Sequence, residues 1–305
     1  MISLKSIRRA ALPGLMALTL LSSVAQAQQS FANPEAAAAA LAAAVKSGPG
    51  DILKVLGRAA DDIVSSGDEV ADADIRQRFT SMYDTKHSVK TEGNKKATLM
   101  LGGDDFPFPI PLINTKTGWE FDTDEGRIEV LYRRIGRNEL DAIQTCLAFV
   151  DAENEYADKD RGEGAGVYAQ RIVSTPGKKD GLFWRDDSDP SPLGALAAEA
   201  SAEGYKAGDV GPTPYHGYYF RILKGQGSDA PGGALNYVVK GKMIGGFALI
   251  AWPAEYGNSG VMTFLVNHAG TVYQKDLGIR TDFVAKRVAS FDPDQTWKKI
   301  DAAKP

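Results

Sequence analysis

Between Gly204 and Gly278 the chain is aromatic and apolar, and glycine punctuates it at short intervals. It includes Tyr215-His216-Gly217-Tyr218-Tyr219-Phe220, Gly245-Gly246-Phe247-Ala248-Leu249-Ile250-Ala251-Trp252-Pro253 and Val261-Met262-Thr263-Phe264-Leu265-Val266-Asn267. β-branched and aromatic residues broken by Gly and Asn describe antiparallel strands joined by tight turns. The expected strands are 217–223, 235–239, 243–252, 261–267 and 271–275. Lys240-Gly241-Lys242 and His268-Ala269-Gly270 supply two of the turns. Such a meander must bury one face of its sheet, so it constrains architecture before it says anything about chemistry.

Upstream the pattern changes to helix. Asn33-Pro34-Glu35 places a capping side chain ahead of a proline at the first helical position, leading into the alanine-rich segment to Val45. Further helices are expected over 51–56 and 71–86, the latter with Ile75, Phe79 and Met82 on one face. Short strands are expected over 88–91, 97–101, 110–113 and 119–122, with Pro107, Pro109 and Pro111 confining their segment to an edge or loop. From about Glu125 to Ala157, Ile128, Leu131, Ile135, Leu140, Ile143, Leu147 and Val150 mark a long helix, with Gly136 as an expected kink or break. A brief helix at 193–202 precedes the meander. The fold class is therefore α+β, in two units: 28–124, a cone-like arrangement of the NTF2 or cystatin kind, and 125–305, a long helix with the meander.

The first 27 residues carry Lys5, Arg8 and Arg9, then an apolar stretch from Ala10 to Val24 that closes on Ala25-Gln26-Ala27. This is the order of a secretory signal peptide, with cleavage expected after Ala27 and a periplasmic or secreted destination. Pro13 and Gly14 interrupt the apolar run, which falls short of the roughly 20 residues of a membrane span, so no span is expected after cleavage. Removal of the signal takes away those three positive charges and no negative one, moving the formal net charge from −4 to −7. A chain of that charge lacks the basic face that nucleic acid requires. Cys146 is the only cysteine, which excludes an internal disulfide.

Several runs together resemble a known family: Asp104-Asp105-Phe106-Pro107-Phe108-Pro109, Arg134-Ile135-Gly136-Arg137-Asn138-Glu139, the stretch from Ser174 to Leu182, Tyr215 to Phe220, and Ala251 to Gly257. They resemble the secreted bacterial family catalogued as domain of unknown function 2950, across nearly all of the chain beyond the signal. That resemblance implies no particular activity. The second half also resembles the globular part of type IV pilins and pseudopilins. The features that carry this are a helix leading to Tyr156, Gly217-Tyr218-Tyr219-Phe220, the Ala251–Pro253 step, Ser259-Gly260, and Phe264 to Asn267 before Gly270. It departs at the N-terminus, where a pilin keeps a long apolar helix.

Candidate chemistry is sparse. Gly257-Asn258-Ser259-Gly260 has the look of a serine nucleophile loop, with His87, His216 and His268 as possible bases, but the same residues make a strand connection. Gly-x-Ser-x-Gly, Ser-x-x-Lys and His-Glu-x-x-His are absent from the sequence. Asp158, Asp160 and Glu163 are spaced as a calcium loop or as a solvated acidic loop. Calcium is thus the one cofactor considered. Cys146, between Ile143 and Leu147, is expected to be an inert buried thiol. Arg133, Arg134 and Arg137 either bind an anion or form a solvated helix face. Strand alternation places His216, Tyr218, Phe220 and Ile222 on one face and Tyr215, Tyr219 and Arg221 on the other. The ligand surface considered is His216, Tyr218, Tyr219 and Trp252, either as a platform or as core and rim. The expected function is a non-enzymatic cell-envelope binding or assembly module whose partner is an envelope protein or glycan. The alternative is a hydrolase or small-ligand protein using a pocket in the first unit, with Asp104, Asp105 or His87 facing inward.

Overall fold

The computed structural model describes residues 28–186, 188–205 and 213–300, so the expected signal peptide lies outside the described residues. The architecture is α+β: among the described residues there are two five-stranded antiparallel sheets, two short two-stranded ones, and one long helix that reaches both larger sheets. The first unit begins with α1 (Pro34–Ser47), α2 (Pro49–Leu56), the short α3 (Asp61–Val64) and α4 (Glu69–Thr85). Asn33 caps α1 by accepting the Ala36 amide at 2.7 Å, as the Asn-Pro pair implies. The sheet that follows comprises β1 (His87–Glu92), β2 (Lys96–Leu101), β3 (Phe106–Pro107), β4 (Leu112–Asn114) and β5 (Trp119–Phe121), ordered β1-β2-β4-β5 with β3 also on β2. Ala97, Leu99 and Leu101 alternate inward along β2. Leu41, Ile52, Val55, Ile110, Leu112 and Phe121 fill the space between sheet and helices.

Along α4 only Asp72 is buried. Phe79 and Met82 pack against Leu99 and Leu101, whereas Ile75 is 40% exposed, so the expected apolar face holds only over its C-terminal half.

Helix α5 runs unbroken from Thr123 to Ala157, 35 residues or roughly 50 Å at 1.5 Å per residue. The helix does not break at Gly136, one of the two outcomes expected there from sequence. A Cβ there would meet nothing within 4 Å, and the neighbouring turns are tied down by Arg134 and Asn138. Glycine in a helix interior costs about 1 kcal/mol but does not forbid helical dihedrals. The buried stripe also differs from the apolar one. It runs through Gly126, Arg134, Asn138, Ala142, Cys146, Phe149 and Glu153, while Ile128 and Leu140 are more than half exposed. At Gly126 the helix passes so close to the preceding segment that a Cβ would lie 2.5 Å from Ile110 Cα. Val130 joins the first core, and Ala142 to Tyr156 join the second, so the helix serves both units.

The second unit contains α6 (Gly194–Glu203), β6 (Tyr218–Leu223), β7 (Gly225–Gln226), β8 (Leu235–Asn236), β9 (Val238–Val239), β10 (Lys242–Met243), β11 (Ala248–Pro253), β12 (Met262–Asn267), β13 (Val272–Asp276), α7 (Thr281–Ala285) and β14 (Lys298–Ile300). Its main sheet is antiparallel in the order β14-β13-β12-β11-β6, with the wholly buried β11 paired to β6 and β12. The expected strand 243–252 is divided, because Gly245 approaches the Asn236 carbonyl and Gly246 adopts φ 132 against His268. The expected strand 235–239 likewise divides into β8 and β9. The Lys240-Gly241 turn has positive φ at both residues, as a two-residue hairpin requires.

Candidate functional site

The junction between the two units is polar where most interiors are apolar. Asp68 caps α4 through Oδ1, which accepts the Ala71 amide at 3.1 Å. Its Oδ2 reaches across to accept the Tyr205 hydroxyl at 2.8 Å and the Gly217 amide at 2.9 Å. A single carboxylate thus ties the start of α4 to a turn of the second unit. That turn is His216-Gly217, closed by reciprocal backbone bonds between Tyr215 and Tyr218 at 2.9 and 3.0 Å. Both central residues have positive φ, 47 for His216 and 74 for Gly217. A Cβ at Gly217 would come 2.6 Å from Asn138 Nδ2, so the position needs glycine for space as well as for conformation. Burial, followed by the Asp68 charge, raises the Tyr205 phenol well above its ordinary value.

Arg134 lies at the centre of this seam and is 6% exposed. It donates to the carbonyls of Asp62 at 2.7 Å and Ile63 at 2.6 Å, and to Asn258 Oδ1. All three acceptors are neutral, and burial pulls its pKa down against the fields of Asp72, Asp62 and Glu255. Its Nε is buried without an acceptor. Asn258 donates onward to the Ser65 carbonyl and to Glu255 Oε2, each at 2.9 Å, and Asn138 donates to the Ser259 carbonyl at 2.8 Å.

Above the seam opens a cleft of about 520 Å³ between α4, α5, α6 and the His216 turn. Its charged lining includes Arg78, ion-paired with Asp74 at 2.6 Å, together with Arg134 and Arg137, and a negative part where Asp141 and Glu203 flank His216 and Glu199 lies near Tyr215. The His216 ring spans two helices, with Nδ1 3.7 Å from Asp141 Oδ2 on α5 and Nε2 3.3 Å from Glu203 Oε2 on α6. Tyr205 and Tyr215 pack against the same ring. Burial and then Glu203, Glu199 and Asp141 raise the Tyr215 phenol, which registers the negative field at that end. On the far side of α6 a larger, more apolar groove is lined by Phe149, Phe183, Phe220 and Leu249.

The structure separates the four residues considered as a ligand surface. Tyr218 is fully buried, donates to the Met262 carbonyl at 2.9 Å and touches Phe264. Trp252 is 4% exposed, pairs with Tyr219 across the strands and donates to Asp282 at 3.2 Å. Both therefore belong to the packed unit and offer no platform, which corrects that reading. His216 stands off the strand because the left-handed turn interrupts the alternation, and it alone of the four lines the cleft.

Other expectations resolve by placement. Ser259 is fully buried, and its hydroxyl accepts the Glu255 amide at 2.9 Å and donates to the Glu255 carbonyl at 3.2 Å, the role of a turn. His87 stacks on Tyr83 at the surface, and His268 packs against Tyr237 and Phe247. Asp104 and Asp105 are exposed, Asp105 pairing with Lys86, so neither faces into the first unit as the alternative expected. Asp160 Oδ1 accepts the Gly162 and Gly164 amides, each at 2.8 Å, and these bonds hold its carboxyl below the ordinary range. Asp158, Asp160 and Glu163 are not gathered, and among the described residues no group of three or more His, Cys, Asp or Glu is placed to hold a metal. Cys146 is fully buried, its thiol pushed up to about 12. Arg133 is the solvated member of its cluster, paired with Glu129, whereas Arg134 is buried and Arg137 lines the cleft. Asp68, Asn138, Asp141, Glu199, Glu203 and Tyr205 escaped sequence reasoning. The polar series Arg134, Asn138, Asp141, Thr145, one helical stripe, was the available signal.

A family model described as "Protein of unknown function (DUF2950)" matches residues 28–300, and the chain belongs to that family. No curated protein and no solved structure matches it. Among the described residues no helix is long and apolar enough to cross a membrane.

Proposed function

We propose that this member of the DUF2950 family is a non-enzymatic binding module of the cell envelope, exported by its N-terminal signal and cleaved after Ala27, with the junction cleft as its ligand site. One observation carries the reading: a concave site of about 520 Å³ rests on a buried hydrogen-bonded seam and presents Arg137 alongside the carboxylates that flank His216. Rigid support beneath a few convergent polar groups is the form that small-ligand sites take. Ser259, in the loop that looks like a serine nucleophile turn, and Cys146, the lone cysteine, are both fully buried, which favours binding over covalent chemistry. The ligand is a small polar piece of an envelope glycan or protein. A long helix lying against an antiparallel meander supports a pilin-like second unit, used here to carry a site.

Binding is tested with the chain beginning at Gln28, screened calorimetrically against soluble glycan fragments and short peptides, with Arg137→Ala as the cleft control. Arg137 is exposed, so this change leaves the fold intact. Saturable binding that weakens at least tenfold in the variant supports the reading; binding indifferent to it places the site elsewhere. Export is tested by fractionating cells that carry the full chain and sequencing the mature N-terminus. A chain retained in the cytoplasm and starting at Met1 overturns that part.

A further inference from the structure

The separation of charge in the cleft specifies its ligand further, given that the cleft is the site. Arg134, Arg137 and Asp141 all line it from α5. With a rise of 1.5 Å per residue, Asp141 lies roughly 6 Å along the axis from Arg137 and roughly 10 Å from Arg134. From the opposite wall, α6 directs Glu199 and Glu203 towards the Asp141 end.

Among the described residues, Arg134 and Arg137 at one end have no direct ion-pair partner, although Asp72, Asp62 and Glu255 act on Arg134 from a distance and Arg78 is paired with Asp74. At the positive end Arg134 is bonded to neutral oxygens only and keeps a buried Nε–H without an acceptor. Among the described residues Arg137 forms no ion pair, and it adds a second guanidinium one turn on. Guanidinium groups match the planar oxygens of a carboxylate. At the negative end Asp141 and Glu203 face a single imidazole, and Glu199 adds a third carboxylate beside Tyr215. Even a protonated His216 brings one positive charge against three negative ones.

We infer that the cleft binds a short peptide of two or three residues with both termini free, its carboxylate at Arg134 and Arg137 and its ammonium group among Asp141, Glu199 and Glu203. An extended chain spans roughly 3.3–3.6 Å per residue, so two or three residues cover roughly 7–11 Å, comparable with the roughly 6–10 Å by which Asp141 is offset along the helix axis from Arg137 and Arg134. Tyr205 and Tyr215 flank the ammonium end as apolar walls with polar tips. A single amino acid covers less of that interval and leaves Arg134 out of reach when its ammonium group is held at Asp141, and a peptide with one end blocked loses a charge-assisted contact at that end.

Calorimetry on the chain from Gln28 tests this with four probes: Ala-Ala-Ala, its N-acetyl form, its C-terminal amide, and free alanine. The free tripeptide is expected to bind, each blocking group to weaken it at least tenfold, and alanine to bind more weakly than either blocked form. Arg137→Ala should remove most of the discrimination against the amide while retaining that against the acetyl form. Glu203→Gln should do the reverse. That crossed pattern reports which end sits where, which a loss of stability would not produce. Equal binding of blocked and free peptides overturns the inference, as does no binding of the tripeptide. If a glycan fragment binds instead and Arg137→Ala weakens it, the cleft remains the site and only the peptide assignment falls. If no probe or glycan responds to Arg137→Ala, both fall.

Discussion

Helix α5 is buried by opposite kinds of neighbour in its two parts. From Ala142 to Tyr156 it lies on apolar side chains, among them Phe247, Leu249 and Phe264 of the second core. At Arg134 and Asn138 the same stripe meets backbone carbonyls of residues 62, 63 and 259. The comparison separates two jobs. Apolar burial supplies stability in proportion to area and tolerates small shifts. The polar seam contributes less net free energy per contact, yet it fixes the geometry of the His216 turn and of the cleft wall, because each bond has a preferred distance and direction.

The largest expected effect tests the apolar side. Phe264→Ala, at a fully buried position of β12, should destabilise by about 3–5 kcal/mol in denaturant unfolding; a change below about 1 kcal/mol would mean that the sheet is not packed on α5. Next is the seam. Asp68→Ala removes the α4 cap and the acceptor shared by Tyr205 and Gly217, for about 2–3 kcal/mol. Unlike Phe264→Ala it should also alter the environment of His216, readable in its ring proton shifts. Gly217→Ala places a methyl against Asn138 in a left-handed turn and should cost about 1–2 kcal/mol, with the same signature.

Glu153 sharpens the contrast, being an ionisable group inside the apolar part. It is fully buried, and burial raises its pKa well above the ordinary value against one bond from the Ala169 amide. A carboxyl raised in the folded state favours folding at low pH, and that contribution is lost as pH climbs from the ordinary carboxylate range through the raised value. Glu153→Gln keeps an acceptor for Ala169, so it should raise the melting temperature more at pH 8 than at pH 4. An equal change at both would show that folding does not raise the pKa of this carboxyl. Smallest is Gly136→Ala, which should stabilise by about 0.5–1 kcal/mol, since the helix is continuous there and the added methyl meets open space.

What could be read from sequence follows the same division. The Asn33-Pro34 cap, the strands of the first sheet and the meander rest on local patterns, and the structure has them close to where those patterns lie. The buried stripe of α5 was hidden because hydrophobicity marks only one kind of burial, and Arg134 and Asn138 read as surface residues. Asp68, Tyr205 and Gly217 are as much as 149 residues apart in their bonded pairs, and no local spacing links them. His216 was drawn to notice for its aromatic company, but its position on a turn depends on positive φ at a residue other than glycine, which sequence alone does not announce.

The most direct test of the central claim is to map backbone amide shifts of the chain from Gln28 while titrating Ala-Ala-Ala. The cleft predicts that perturbations concentrate along α5 from Arg134 to Thr145 and at Tyr215, His216 and Gly217. Perturbations confined to Phe183, Phe220 and Leu249 in the apolar groove, or to the 158–164 loop, or absent throughout, would contradict it.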